Sequence, residues 1–282
     1  MNPRFDSPNK PLLTKPMSAT MDYREVNKEL WNTKAALHVN SDFYDVPSFL
    51  AGNSSLKHIE LNMLGDIRGK DVLHLQCHFG QDTISLARMG ANVTGVDISD
   101  VAINKAEALA RDLEVEATFF ESDVLDLNGK LDQKFDIVFT TYGVISWLPN
   151  LEKWANTISH HLKPGGKLIF VESHPVMWMM DENLEFVKYH YFNVEPIIEE
   201  VTNSYTGSEF KQKLSSISWN HSISEVVNAL ISKGLEINSL DEFDYFPYPI
   251  FAYSKETSPG QFRPHNHSKI PLTYAIEASL RP

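Results

Sequence analysis

The chain has 282 residues, 42% of them apolar and 11% aromatic, so it can bury a sizeable core in one domain plus an elaboration. Its 25 basic against 37 acidic side chains leave a formal charge of -12 with no Lys/Arg run, which argues against a nucleic-acid backbone or an anionic membrane as partner. A single cysteine excludes an internal disulfide and, with no signal-peptide core near Met1–Lys10 and no bilayer-length apolar run, leads to the expectation of a cytoplasmic protein.

Residues 1–20 are polar and studded with prolines (Pro3, Pro8, Pro11, Pro16), and a disordered arm is expected there. From Asp22 the pattern turns helical, with Tyr23, Val26, Leu30 and Trp31 at three- and four-residue spacing, and a second helix is expected over 54–64. Together residues 21–65 are expected to form a helical lid. Next come Asp71-Val72-Leu73-His74-Leu75, the loop Gln76-Cys77-His78-Phe79-Gly80, a helix with Ile84, Leu86, Ala87 and Met89 on its apolar face, and a strand through Val93, Gly95 and Val96 to Asp97. This is strand, tight loop, helix, strand, acid. An acid about twenty residues after such a loop, at a strand's carboxyl end, is placed to grip a ribose.

The loop narrows the choice of nucleoside cofactor. A dinucleotide needs glycine at several loop positions for its pyrophosphate, but only Gly80 is present, and Asp82 brings negative charge to the helix start. S-adenosylmethionine has a ribose and an adenine but no phosphate, and suits this loop better.

Further along, Ser99 is a good N-cap for a helix through Arg111, and Glu116–Phe120 forms a third strand followed by Asp123 and Val124. Lys134–Thr140 is a fourth strand, leading to Thr141-Tyr142-Gly143 and Trp147. A helix over Leu151–Leu162 ends at Lys163-Pro164-Gly165-Gly166, a helix stop and sharp reversal before the strand Lys167–Glu172. His174 follows that strand on the side of the presumptive site; it either acts as a general base or satisfies a loop carbonyl. Residues 176–220 alternate around Gly207 like an antiparallel strand insertion. Its aromatic content suits an apolar or planar acceptor, or equally rings that bury the insertion against the core or build a homodimer face. Ser222 and Glu225 fit a capping box opening the last helix, Leu235–Phe243 is a sixth strand, the stretch with Pro247, Pro249 and Pro259 is loop, and Pro271–Leu280 is the final strand.

At this motif order, over roughly residues 55–175, the chain resembles the class I S-adenosylmethionine-dependent methyltransferases. The family's first motif is usually an apolar strand, an acid, then Gly-x-Gly-x-Gly with Cys often inside. Here His74 takes the acid's place, and Gln76 and His78 take the first two glycines. His-Leu-Gln-Cys-His-Phe-Gly is similar to a variant in one bacterial branch of the family. Phe135-Asp136-Ile137-Val138-Phe139 resembles the fourth-strand motif, and Pro164-Gly165-Gly166 the turn before the fifth strand.

The resemblance implies an α/β Rossmann-like fold: a seven-stranded, mostly parallel sheet with helices on both faces, a core over 66–175, an antiparallel insertion over the site, and completion of the sheet by 221–282. It implies S-adenosylmethionine as cofactor, with Asp97 and Ile98 at the ribose, Asp123 and Val124 at the adenine, and the Leu75–Gly80 loop (Leu75, Gln76, Cys77, Gly80) at the methionine part. Tyr44, with Trp31 and His38 as companions from the lid, is expected near the sulfonium, although Trp31 equally suits the core and His38 a hydrogen-bonded surface position. Thr141 and Tyr142 are expected to face both cofactor and substrate, with His174 or Tyr142 assisting the acceptor, and Trp147 to pack the next helix. The expected reaction is methyl transfer to the oxygen or nitrogen of a small molecule. Rival readings are a catalytically silent S-adenosylmethionine-binding module and a nicotinamide-dependent oxidoreductase, which wants the missing glycines. His74, Cys77 and His78, or His265 and His267, do not make a metal site by spacing, and none is expected.

Overall fold

The structure, a computed structural model, describes residues 22–181, 183–193, 195–251, 253–264 and 269–281. The expected arm over 1–20, and His265 and His267, lie outside the described residues. In chain order the elements are α1 (Tyr23–His38), α2 (Val46–Leu50), α3 (His58–Leu64), β1 (Asp71–Leu75), α4 (Gln81–Arg88), β2 (Asn92–Asp97), α5 (Asp100–Asp112), β3 (Thr118–Glu121), β4 (Phe135–Thr141), α6 (Leu151–His161), β5 (Leu162–Ser173), α7 (Pro175–Trp178), β6 (Ile197–Asn203), β7 (Glu209–Ser218), α8 (Ile223–Ser232), β8 (Leu235–Phe243), β9 (Ser254–Ser258), β10 (Gln261–Pro264) and β11 (Thr273–Leu280).

Seven strands form one sheet in the order β3-β2-β1-β4-β5-β11-β8. β1 pairs in parallel with β2 (Val72↔Val93) and β4 (Val72↔Ile137), while β11 runs antiparallel between β5 and β8. This is the Rossmann-like class I arrangement. It follows from strands that are apolar on both faces. Leu73, Leu75, Val138 and Phe170 point to one side, where Trp154, Ile158 and Leu230 from α6 and α8 cover them. Val72, Val93, Ile137 and Ile169 point to the other, against Leu64 and Leu86 from α3 and α4. Such double burial needs the continuous apolar runs seen in these strands rather than simple alternation.

Several expectations shift on folding. The second lid helix begins only at His58, because Lys57 is its N-cap and Glu60 Oε1 accepts from the Lys57 N–H at 2.5 Å. Pro164-Gly165-Gly166 is not a reversal: β5 starts at Leu162, directly after α6, and the three residues bulge out between the pairs Phe135↔Leu162 and Ile137↔Lys167. Gly166 is needed there because a Cβ would come within 2.9 Å of the Lys163 carbonyl. The proline-rich stretch after β8 leads into a hairpin, β9–β10, not only loop. The capping box at α8 is half made: Ser222 accepts from the Glu225 N–H at 3.2 Å, but the Glu225 carboxylate turns to His221 Nδ1 at 3.0 Å.

The buried stripe of α1 also differs from the expected one. It runs through Asn27, Leu30, Lys34, Ala35 and His38, and so carries three polar side chains. Asn27 mimics a neighbouring strand: its amide donates to Ile217 O at 2.8 Å and accepts from Ile217 N at 3.0 Å, clamping the β6–β7 hairpin onto α1.

Candidate active site

The carboxyl ends of β1, β2 and β4, capped by α1, the α2–α3 segment and the β6–β7 hairpin, enclose a cavity of about 730 Å³. Of the residues singled out from sequence, Tyr44, Gln76, Cys77, Gly80, Asp97, Ile98, Asp123, Val124, Thr141 and Tyr142 line it, as do Trp31 and Trp147. Leu75 does not: it is wholly buried in the core beneath the loop, so only its backbone borders the turn.

His174 is also outside the lining, contrary to the expectation of a general base. It is 3% exposed, its Nδ1 accepts from the Val176 N–H at 3.1 Å to cap α7, and its Nε2 meets Glu242 Oε1 at 2.7 Å. Both ring nitrogens are thus committed to the joint between β5, α7 and β8. His38 is buried, not at the surface, and joins His78 and Ser204 behind the cavity wall. Trp147 does more than pack the next helix: it stands edge-on to Trp31 at 5.3 Å in the wall and donates from its indole N–H to Gly143 O at 2.8 Å.

The first loop is strained where glycines were expected. Gln76 has φ 56° and His78 φ 51°, the left-handed region that costs an L-residue about 1–2 kcal/mol. Tyr142 (φ 52°) and Asp45 (φ 39°) share this, so of the six non-glycine residues with positive φ among those described, four line the cavity. Strain persists only where surroundings over-determine it. For Gln76 the surroundings are a hydrogen bond from its side-chain amide to Val144 O at 2.8 Å; for His78, its backbone N–H donates to Asp97 Oδ2 at 2.8 Å. Gly80 (φ +81°) is required by packing, since a Cβ would lie 2.8 Å from Ala106 Cβ and 2.9 Å from the Phe119 ring.

Asp97 is 8% exposed and, among the described residues, has only backbone partners, the His78 N–H at 2.8 Å and the Ser99 N–H at 2.9 Å, with the Ile98 N–H also favouring its charged form. Burial raises its carboxyl to about 6, offset in part by those hydrogen bonds. Among the described residues no cation acts on it, and Asp97 lines the cavity, which suits a pair of hydroxyl donors. Asp123 accepts from the Leu125 N–H at 2.9 Å and from the Tyr23 hydroxyl at 2.9 Å. Gln76 lines the cavity, while its Oε1 is buried without a hydrogen-bond partner among the described residues.

Three acids not nominated from sequence matter here. Glu172, at the end of β5, accepts backbone N–H bonds from Gly143 (2.6 Å), Val144 (2.7 Å), Ile145 (3.0 Å) and Ser173 (2.6 Å), and so holds the loop after β4 in shape. Glu60, wholly buried on α3, accepts the Tyr142 hydroxyl at 2.5 Å; burial, with Asp82 nearby, raises its carboxyl to about 7. Asp82 lines the same wall, and burial raises its pKa as well. A glutamate inside a short amphipathic helix carries no sequence signal of such a role. A polar residue recurring on the buried stripe of α1 would have been a signal for Lys34. Among the described residues, no group of three or more His, Cys, Asp or Glu side chains is arranged to hold a metal ion.

Residues 72–166 match the family described as a methyltransferase domain. The ubiquinone biosynthesis O-methyltransferase of Alkalilimnicola ehrlichii is 32% identical over 107 residues, 38% of this chain and 43% of that protein. That of Coxiella burnetii is 32% identical over 124 residues, 44% of this chain and 51% of that protein. The chain therefore spans about half the length of the curated relatives it matches. Among solved structures, an S-adenosylmethionine-dependent methyltransferase from Mesorhizobium loti superposes with a TM-score of 0.54 at 17% identity, covering 82% of this chain and 99% of that one. This likeness is one of fold.

Proposed function

We propose that this chain, whose residues 72–166 form a methyltransferase domain and whose sheet has the class I order, transfers the methyl group of S-adenosylmethionine to a small-molecule acceptor. The observation that carries this reading is a buried Asp97 at the end of β2, with no cation beside it among the described residues, lining the same cavity as Asp123 and the strained loop after β1. The ribose diol would bind Asp97, the adenine would lie between Asp123 and Val124, and the methionine part would lie along Gln76–Gly80 and Thr141. Tyr44 and Trp31 would cover it from the lid formed by 21–65. A sulfonium methyl group is already activated when bound, so the protein's tasks are alignment, exclusion of water and proton removal.

For the last task the arrangement favours Tyr142 and Glu60 over His174. An acceptor hydroxyl would donate to the Tyr142 oxygen, whose own proton already points at Glu60 Oε2. As the acceptor oxygen gains its methyl group, its proton moves to Tyr142 and the Tyr142 proton to Glu60, a carboxylate whose raised pKa suits proton acceptance near neutrality. The relatives named as O-methyltransferases support an oxygen acceptor. The hairpin β6–β7, within 176–220, would wall the acceptor.

Calorimetric titration with S-adenosylhomocysteine tests the reading. Wild type is expected to bind in the micromolar range, about -8 kcal/mol, and Asp97→Ala to lose about 100-fold or more, as expected for two charge-assisted hydrogen bonds. Binding unaffected by Asp97→Ala would refute the assignment of the ribose. No binding by wild type would refute the reading and favour the nicotinamide alternative, which titration with NADH then checks.

A further inference from the structure

Six tyrosines line the cavity, and five of their hydroxyls are spent on other protein groups. Tyr23 donates to Asp123 at 2.9 Å, Tyr142 to Glu60 at 2.5 Å and Tyr189 to Glu199 at 2.6 Å, while the Tyr44 and Tyr205 hydroxyls bond each other at 2.5 Å. The sixth, Tyr248, follows β8 and lies well beyond the 72–166 stretch. Its hydroxyl has no hydrogen-bond partner among the described residues. Unlike Gln76 Oε1 or the Tyr274 hydroxyl, which are unpartnered but sealed in, it keeps surface that a ligand can reach. Burial raises its pKa well above the ordinary tyrosine value, and Tyr205, Glu172, Glu60 and Asp82 act in the same direction. Three of those four groups line the cavity, so the hydroxyl end of Tyr248 lies toward it, keeps its proton and can donate.

The Tyr248 ring is held by other rings. Tyr142 stands edge-on to it at 5.2 Å and Phe43 at 5.5 Å, and Phe43 in turn meets the Tyr205 ring at 5.4 Å. The four come from four segments: the α1–α2 link, the turn after β4, the β6–β7 turn and the stretch after β8. All four line the cavity, and together they give the space beside the Tyr142 hydroxyl aromatic walls, which suit a planar ring. Edge-on neighbours also fix Tyr248 before any ligand arrives, so little side-chain entropy is lost on binding.

We propose that Tyr248 selects the acceptor: its hydroxyl donates a hydrogen bond to a carbonyl oxygen carried by a planar phenol whose reacting hydroxyl meets Tyr142. A carbonyl oxygen only accepts, so it satisfies this donor without needing an acceptor from the wall in return. An alkyl group of the same size in its place leaves the donor unpaired, and the site discriminates against it for that reason. The proposal rests on the methyl-transfer reading and adds to it the second polar atom that the acceptor carries.

The test titrates wild type and Tyr248→Phe, each saturated with S-adenosylhomocysteine, with matched pairs of probes: the ortho, meta and para hydroxyacetophenones, each against the ethylphenol of the same substitution. Within a pair the carbonyl oxygen is the only difference besides hydrogens. For at least one pair the ketone is expected to bind wild type about tenfold tighter than the ethylphenol, and this ratio is expected to fall to within about twofold in Tyr248→Phe. Affinities for the ethylphenol and for S-adenosylhomocysteine should change by less than about twofold. A ratio retained in Tyr248→Phe, no ratio in wild type, or no binding of any pair overturns the assignment. So does an equal loss of both members of a pair, which would make Tyr248 a packing residue. If wild type fails to bind S-adenosylhomocysteine, the methyl-transfer reading falls separately, and the same pairs titrated into the ligand-free protein decide the role of Tyr248.

Discussion

The two walls of the cavity are built in different ways. On the sheet side, Asp97 is held by the N–H groups of His78 and Ser99, and Glu172 by four backbone N–H groups. On the lid side, the bonds are long-range and made by side chains: Tyr142 to Glu60 across 82 positions, Tyr44 to Tyr205 across 161, His38 to Ser204 across 166 and Asn27 to Ile217 across 190. Strand ends deliver the first wall with the fold. The second depends on particular side chains meeting once the fold has formed, so it can vary without disturbing the sheet. A cofactor common to many enzymes belongs against the first wall and a particular acceptor against the second.

The contrast predicts graded effects. The largest is expected from Glu172→Leu, which leaves three N–H groups in the loop after β4 and one at the end of β5 without their acceptor; a loss of about 4 kcal/mol or more in denaturant unfolding is expected. A loss below about 1 kcal/mol would show that the loop after β4 holds itself. Asn27→Ala should cost roughly 2–3 kcal/mol and, unlike Glu172→Leu, should speed hydrogen exchange mainly at Ile217 and its neighbours in β7. Uniform acceleration across the sheet would erase the distinction between the walls.

A third test uses pH. Glu60 and Asp97 have folded pKa values of about 7 and about 6, raised by burial above 4.5 and 3.8. Between the unfolded and folded values the native state binds more protons than the unfolded one, so stability falls as pH rises. The ligand-free protein should therefore lose a few kcal/mol between about pH 4 and pH 7 from these groups, offset by any carboxylates with lowered values. In thermal unfolding, Glu60→Gln should flatten the part of this slope up to about pH 7 and Asp97→Asn the part up to about pH 6. An unchanged slope in both variants would mean that neither acid is held protonated.

The smallest effect is expected from Gln76→Gly. Relief of the positive φ should contribute about 1–2 kcal/mol, and loss of the Gln76–Val144 hydrogen bond should cost about 1 kcal/mol, leaving a net stabilisation of about 1 kcal/mol or less. A clear destabilisation would mean that this side chain, rather than the turn, holds the sheet-side wall.

The local sequence was enough to locate the sheet-side wall. The apolar runs at Val72–Leu75 and Phe135–Phe139, the single close glycine at Gly80 and the acid at Asp97 specify strand, turn and strand end within one short stretch, and the backbone geometry of a parallel sheet then places Asp97 beside the loop. The gap left by two missing glycines was legible too, although only the structure shows that Gln76 and His78 adopt the glycine-like conformation. His174 misled because its position after β5 says where its backbone lies, not that both ring nitrogens are taken by Val176 and Glu242. Glu60 and the His78–His38–Ser204 chain were decided by tertiary structure alone. Their chemistry depends on burial and on partners from distant segments, and a residue's pKa and free valences are properties of its surroundings, which no local pattern encodes.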